Sequence, residues 1–113
     1  MHELSVVQNI INIVSLELER NGGSRVSEVK LEIGRLSGIE FGSLDFALKH
    51  LTRGSIIESA EISVEKPEGV ARCNECHNEF KMDDFIGCCN LCNSVNLEII
   101  KGRELRVKSI TIE

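Results

Sequence analysis

From Leu4 to Arg20 the apolar residues Leu4, Val7, Ile10, Ile11, Val14 and Leu18 recur at helical intervals and lay one stripe along a first helix. Val6, Ile13 and Leu16 fall off that stripe, so the apolar coverage is broader than a one-sided surface helix needs. Asn21-Gly22-Gly23 ends it, because glycine accepts the left-handed conformation of a helix C-terminus. Val29, Leu31 and Ile33 then alternate with Lys30, Glu32 and Gly34, the period of a strand with one buried face. Helical spacing returns from Glu40 to Leu51 through Phe41, Leu44, Leu48 and Leu51, with Phe46 and Ala47 widening the face, and Arg53-Gly54 closes this second helix.

Ala60, Ile62 and Val64 form a second alternating strand, stopped by Pro67-Glu68-Gly69, which reads as a linker. At the other end Leu105 and Val107, then Ile110 and Ile112, alternate in a last strand whose phase slips at Lys108-Ser109. A lone terminal strand has nothing to pair with unless it returns to the first two. The expected fold is therefore α+β, with two helices on a three-stranded sheet. Residues 1–69 form this domain, strand 103–113 completes it, and 70–102 is an inserted zinc-ribbon-like domain whose ends lie close together.

Four of the five cysteines give that insert its chemistry. Cys73-Asn74-Glu75-Cys76 and Cys89-Asn90-Leu91-Cys92 are two Cys-x-x-Cys pairs with twelve residues between them, the spacing of a structural zinc site. Each pair turns two thiolates toward one ion at about 2.3 Å, and two pairs close a tetrahedron with no position left for substrate. Such knuckles put a residue of positive φ just after the second cysteine. His77 and Asn93 hold those places, and both residue types tolerate that region. Cys88 adjoins Cys89, and only one of two neighbouring side chains can join Cys92 at the two-residue spacing; Cys89 is the chosen ligand. Four thiolates on a dication leave a charge of −2, which Arg72, Lys81, Lys101 or Arg103 could screen.

Composition narrows the function classes. The 113 residues suit one domain or two small ones, and the hydrophobic fraction of 42% with 27% charged is that of a soluble globular protein with an aliphatic core. Thirteen basic against eighteen acidic residues give a net charge of −5, which opposes binding along a phosphate backbone. No basic n-region opens the chain and no run nears the ~20 apolar residues of a membrane span, so a cytoplasmic, non-membrane location is expected. Cys73 to His77 also matches the haem-attachment signature Cys-x-x-Cys-His, but haem leaves the second knuckle unexplained. His50 has no serine or reactive cysteine near it in sequence, and a closed zinc site cannot activate water, so no enzyme is expected.

The amino terminus holds a second candidate site. A histidine in second place presents its imidazole, its own amide nitrogen and the α-amine of Met1 to one ion through small chelate rings. The α-amine titrates at about 7.7 to 8.0, so a metal displaces its proton at cellular pH. A nitrogen-rich tetragonal set favours Ni²⁺ or Cu²⁺. Bulky His2 is also expected to keep the initiator Met1 from being trimmed.

Taken together, the opening Met1-His2-Glu3-Leu4-Ser5, the paired knuckles and the closing Gly102-Arg103-Glu104-Leu105-Arg106-Val107 resemble the HypA/HybF family of nickel metallochaperones over the whole chain. The resemblance implies a nickel-binding domain joined to a zinc domain, and a transferable Ni²⁺ delivered during maturation of [NiFe]-hydrogenase. It implies His2 as the nickel ligand with main-chain assistance from Met1 and Glu3, and Cys73, Cys76, Cys89 and Cys92 on structural Zn²⁺. Its implied partners are a HypB-type GTPase, the hydrogenase large subunit or its maturation complex and, in some organisms, urease maturation proteins. The second knuckle departs from the Cys-Pro-x-Cys frequent in the family. A homodimer is conceivable by strand exchange about Pro67 to Gly69. The rival reading is a zinc-ribbon module for nucleic acid or a transcription complex, with Met1-His2-Glu3 incidental.

Overall fold

The structure of the chain, a computed structural model, describes residues 3–83 and 87–113. Its elements run α1 (Glu3–Asn21), β1 (Val26–Ile33), α2 (Phe41–Leu51), β2 (Glu61–Glu65), β3 (Val70–Cys73), β4 (Glu79–Lys81), β5 (Leu97–Lys101) and β6 (Leu105–Ile112). Two three-stranded sheets result, ordered β2-β1-β6 and β4-β3-β5. Among the described residues no helix is long and apolar enough to cross a membrane.

Chain contacts divide into two compact units. The first comprises Met1–Leu31, Ile39–Val64 and Arg106–Glu113; the second comprises Glu32–Gly38 and Glu65–Leu105. In the first unit α1 and α2 pack on each other, and Val6, Val7, Ile10 and Val14 of α1 are buried with Leu44, Ala47 and Leu48 of α2. Val26, Val29 and Leu31 of β1 and Ile57 complete this aliphatic core. β1 is the central strand, so β6 does return to the sheet begun by β1 and β2. The expected slip in β6 appears as two successive exposed residues, Lys108 and Ser109, between half-buried Val107 and Ile110.

The sequence stripes hold at their centres, with Val7, Ile10 and Val14 of α1 and Leu44 and Leu48 of α2 buried, and differ at their margins. Val6, off the stripe of α1, is buried, while Leu4, on it, is 53% exposed. Phe46, counted among the apolar face of α2, is 65% exposed and lies against His50 with ring centroids 4.2 Å apart. Glu40 is not the first helical residue of α2. It is the N-cap, in extended conformation, and its carboxylate accepts from the N–H groups of Gly42 and Ser43. At the far end Thr52 is the C-cap and its buried hydroxyl donates to the Leu48 carbonyl at 2.6 Å.

In the second unit β3 is central. It pairs antiparallel with β4 (Ala71 opposite Phe80) and with β5 (Ala71 opposite Ile99), with an irregularity between Val70 and Ala71 in the latter pairing. The residues on either side of these strands meet. The N–H of Leu36 donates to the Gly102 carbonyl at 2.7 Å and that of Arg35 to the Pro67 carbonyl at 3.0 Å. Gly102 has φ +110°, and a Cβ placed on it would lie 2.6 Å from the Gly69 Cα, so the chain enters and leaves the small sheet through glycine-on-glycine contact.

Candidate metal centre

β3 ends at Cys73, and the chain turns at once into the first knuckle. The Cys73 carbonyl accepts from the His77 N–H at 2.9 Å, and the Cys73 N–H donates to the Asn78 carbonyl at 2.9 Å. The second knuckle repeats this bonding, with the Cys89 carbonyl taking the Asn93 N–H at 3.0 Å and the Cys89 N–H reaching the Ser94 carbonyl at 2.8 Å. His77 (φ 63°) and Asn93 (φ 62°) occupy the left-handed region at the two equivalent positions, as the spacing requires. In each knuckle an N–H is also aimed at the first sulfur: Cys76 at the Cys73 Sγ (3.5 Å) and Leu91 at the Cys89 Sγ (3.4 Å).

These turns bring Cys73, Cys76, Cys89 and Cys92 together, with all four Sγ atoms within 4.8 Å of one another. The Cys73–Cys92 and Cys76–Cys89 sulfur pairs are each 3.5 Å apart. A tetrahedral zinc with four sulfurs at about 2.3 Å has its sulfurs about 3.8 Å apart, so the donor set fits that ion closely. Cys73 and Cys89 are buried; Cys76 and Cys92 are exposed. Cys88 is exposed and stands outside the group.

Electrostatics points the same way. The Cys92 N–H, with that of Leu91, overcomes burial and draws the Cys89 thiol down to about 6. The Cys76 N–H lowers Cys73 likewise. Cys92 goes the other way. The Ser94 N–H favours its thiolate, yet the neighbouring sulfurs, Cys73 first, together with burial push it up to about 12. Cys76, despite the Asn78 N–H, is raised by Cys89 and by burial. Four sulfurs this close cannot all be anions without a cation among them, and a dication removes that conflict. Of the basic residues considered for screening, Arg72 and Lys81 have nearer carboxylate partners in Glu79 (3.4 Å) and Glu68 (3.0 Å).

The amino-terminal candidates Met1 and His2 lie outside the described residues. Glu3 is the first residue of α1, and its carboxylate accepts from the Glu40 N–H at 3.1 Å. Leu4, Glu40, Phe46 and Ala47 line a shallow cleft beside it. His50 is exposed on α2, and His77 is exposed and outside the sulfur group. Sequence reasoning missed the bond between the Glu3 carboxylate and the Glu40 N–H and the side-chain bonds Asn74 to Asn96 and Asn78 to Asn90 about the knuckles. The recurrence of asparagine around the knuckles was their only trace.

The family described as hydrogenase/urease nickel incorporation, metallochaperone, HypA matches residues 1–112. Hydrogenase maturation factor HypA of Parabacteroides distasonis is 42% identical over 113 residues, spanning 100% of this chain and 98% of that protein. The protein of the same name from Chlorobaculum tepidum is 38% identical, with 100% of both chains covered. The solution structure of the Ni metallochaperone HypA from Helicobacter pylori superposes with a TM-score of 0.69 at 25% identity, covering 99% of this chain and 97% of that one. A second solution structure of a HypA protein gives 0.70 at 26% identity, covering 100% and 97%. These full-length likenesses favour nickel incorporation over the nucleic-acid reading. The chain belongs to the HypA family of nickel metallochaperones, which act in hydrogenase/urease nickel incorporation.

Proposed function

We propose that this chain carries Ni²⁺ on its amino terminus, using the Met1 amine, the His2 imidazole and the main-chain nitrogens of His2 and Glu3, and releases it to a maturing [NiFe]-hydrogenase. The observation that carries the reading is the match of residues 1–112 to the nickel-incorporation family, beside a thiol cluster that accounts for a different, structural ion. The four thiols form a closed cluster whose geometry suits zinc and offers no entry for a second ion. A nitrogen set at a chain end is open and reversible. An acceptor can strip it donor by donor, as it could not a closed cage.

In this reading Cys73, Cys76, Cys89 and Cys92 hold Zn²⁺ as a structural ion. Folding of the small sheet β4-β3-β5 is then coupled to that ion, because strands this short bury little apolar surface. The protein is a carrier in a maturation pathway and performs no catalysis of its own. Its partners are a HypB-type GTPase and the hydrogenase large subunit or its maturation complex, with urease maturation proteins as the corresponding acceptors where urease is served. The exchange takes place in the cytoplasm, whose reducing conditions keep the four thiols available.

Calorimetric nickel titration of the zinc-loaded chain beside His2→Ala tests the assignment. One tight Ni²⁺ should bind to the native chain and be lost or greatly weakened in the variant. Equal stoichiometry and affinity in the two would overturn the terminal site, and undiminished zinc content in both would show that the loss is local.

A further inference from the structure

Cys88 and Cys89 are adjacent thiols, and each could close the second knuckle on a metal with modest adjustment of the turn. The turn of the second knuckle is built on Cys89, and a residue of the other knuckle adds to that distinction. The main-chain carbonyl of Asn78 accepts the Cys73 N–H, so Asn78 is built into the first turn. Its side chain leaves that turn. Nδ2 donates to Asn90 Oδ1 at 2.6 Å and lies 3.9 Å from the Cys89 Sγ. Asn78 is half-buried, follows the left-handed residue His77 and immediately precedes β4, so its backbone is held on both sides.

We infer that Asn78 is a positioning residue that selects Cys89 over Cys88 as the metal ligand, by clasping Asn90 and presenting an N–H to the Cys89 sulfur. The inference rests on the zinc reading above. The carboxamide is suited to the task because it is a neutral donor. It can stabilise a thiolate without adding negative charge to a set that already carries an excess of two. Binding Asn90, the residue after Cys89, fixes the turn in the register that buries Cys89 and leaves Cys88 outside. Asn74 makes an analogous clasp from the first knuckle to Asn96, its Nδ2 donating to Asn96 Oδ1 at 3.0 Å, but that bond reaches no sulfur. Asn78 thus links the two turns through a side-chain amide that also reaches a ligand sulfur.

The test is alkylation mapping of the zinc-loaded full chain with iodoacetamide, read by peptide mass spectrometry, in the native protein, Asn78→Asp and Asn90→Ala. Asn78→Asp keeps the size and removes the N–H donor; Asn90→Ala leaves the donor but removes the acceptor that aims it. In the native chain label should fall on Cys88 alone. In Asn78→Asp it should divide between Cys88 and Cys89 with one zinc still bound, and zinc affinity should drop by about 10-fold or more. Asn90→Ala should shift the label in the same direction to a smaller extent. Adding Cys88→Ser should then weaken zinc binding further in the Asn78→Asp background and leave the native background nearly unchanged.

Label confined to Cys88 in both variants overturns the inference. So does complete loss of zinc from both, which would make the clasp a requirement for folding and not a choice between thiols. Labelling of all five cysteines in the native zinc-treated chain would instead overturn the zinc reading itself, so the two failures are distinguishable.

Discussion

The carboxylate of Glu3 accepts the main-chain N–H of Glu40 at 3.1 Å, tying the first residue of α1 to the N-cap of α2. The bond joins the two helices of the first unit through their amino-terminal ends. Glu3→Ala removes it and should lower stability by about 0.5–1.5 kcal/mol in urea unfolding. Glu3→Gln retains an acceptor oxygen and should recover much of that loss. On the proposed nickel reading, nickel affinity should be little changed in either variant, because the main-chain nitrogen of residue 3 is present in both. Identical stability of the Ala and native chains would remove the role given to the carboxylate.

Glu40 has a second function through its own side chain. The Ser43 hydroxyl first, then the N–H groups of Ser43 and Gly42, hold its carboxyl below the usual carboxylate range. A carboxyl with a folded pKa below its unfolded one contributes stability that is present above the unfolded value, about 4.3, and is lost as pH falls through the folded value. Glu40→Gln should therefore flatten the acid limb of a plot of melting temperature against pH, and leave the slope near neutrality unchanged. An acid limb of unaltered steepness would count against this account of the cap.

Leu44 and Phe46 lie two residues apart on α2 and should behave oppositely. Leu44 is 1% exposed, and truncation to alanine should cost about 2–5 kcal/mol. Phe46 is 65% exposed beside the cleft at Glu3, so Phe46→Ala should change stability by no more than about 0.5 kcal/mol. Parallel urea curves of the two variants decide the matter, and a large loss at Phe46 would mean that α2 is turned the other way.

Gly102 should be far less replaceable than Gly38 in the second unit. An added Cβ would sit 2.6 Å from the Gly69 Cα at a φ of +110°, whereas at Gly38 (φ +85°) it would meet nothing within 4 Å. Gly38→Ala therefore carries only the conformational penalty of about 1–2 kcal/mol. Gly102→Ala adds backbone overlap to that penalty and should reduce both folding yield and zinc content. Comparable melting temperatures for the two variants would contradict the close approach.

The sequence made some of these features readable and hid others for physical reasons. The knuckles were legible because a two-residue gap between cysteines leaves the backbone few ways to aim both sulfurs at one point, and His77 and Asn93 were marked by their tolerance of positive φ. The return of β6 beside β1 followed from the need of a terminal strand for a partner. The margins of the helix faces were hidden. α1 is apolar around much of its circumference, so periodicity alone could not say that Val6 goes in and Leu4 stays out. Phe46 misled because it was counted with Ala47 as widening the apolar face, and only Ala47 lies on the buried side. The asparagine clasps and the Glu3–Glu40 bond were invisible, since they join residues whose proximity exists only after the chain has folded.

The two knuckles share an asymmetry: the leading cysteine of each, Cys73 and Cys89, is enclosed, and the trailing one, Cys76 and Cys92, faces outward. Disassembly of the cluster thus has a direction. Within the cluster, a peroxide, an alkylating drug or a rival chelator reaches Cys76 and Cys92 before the enclosed pair. Oxidative damage should accordingly reach exposed Cys88 first and, within the cluster, the outer sulfurs before the inner pair.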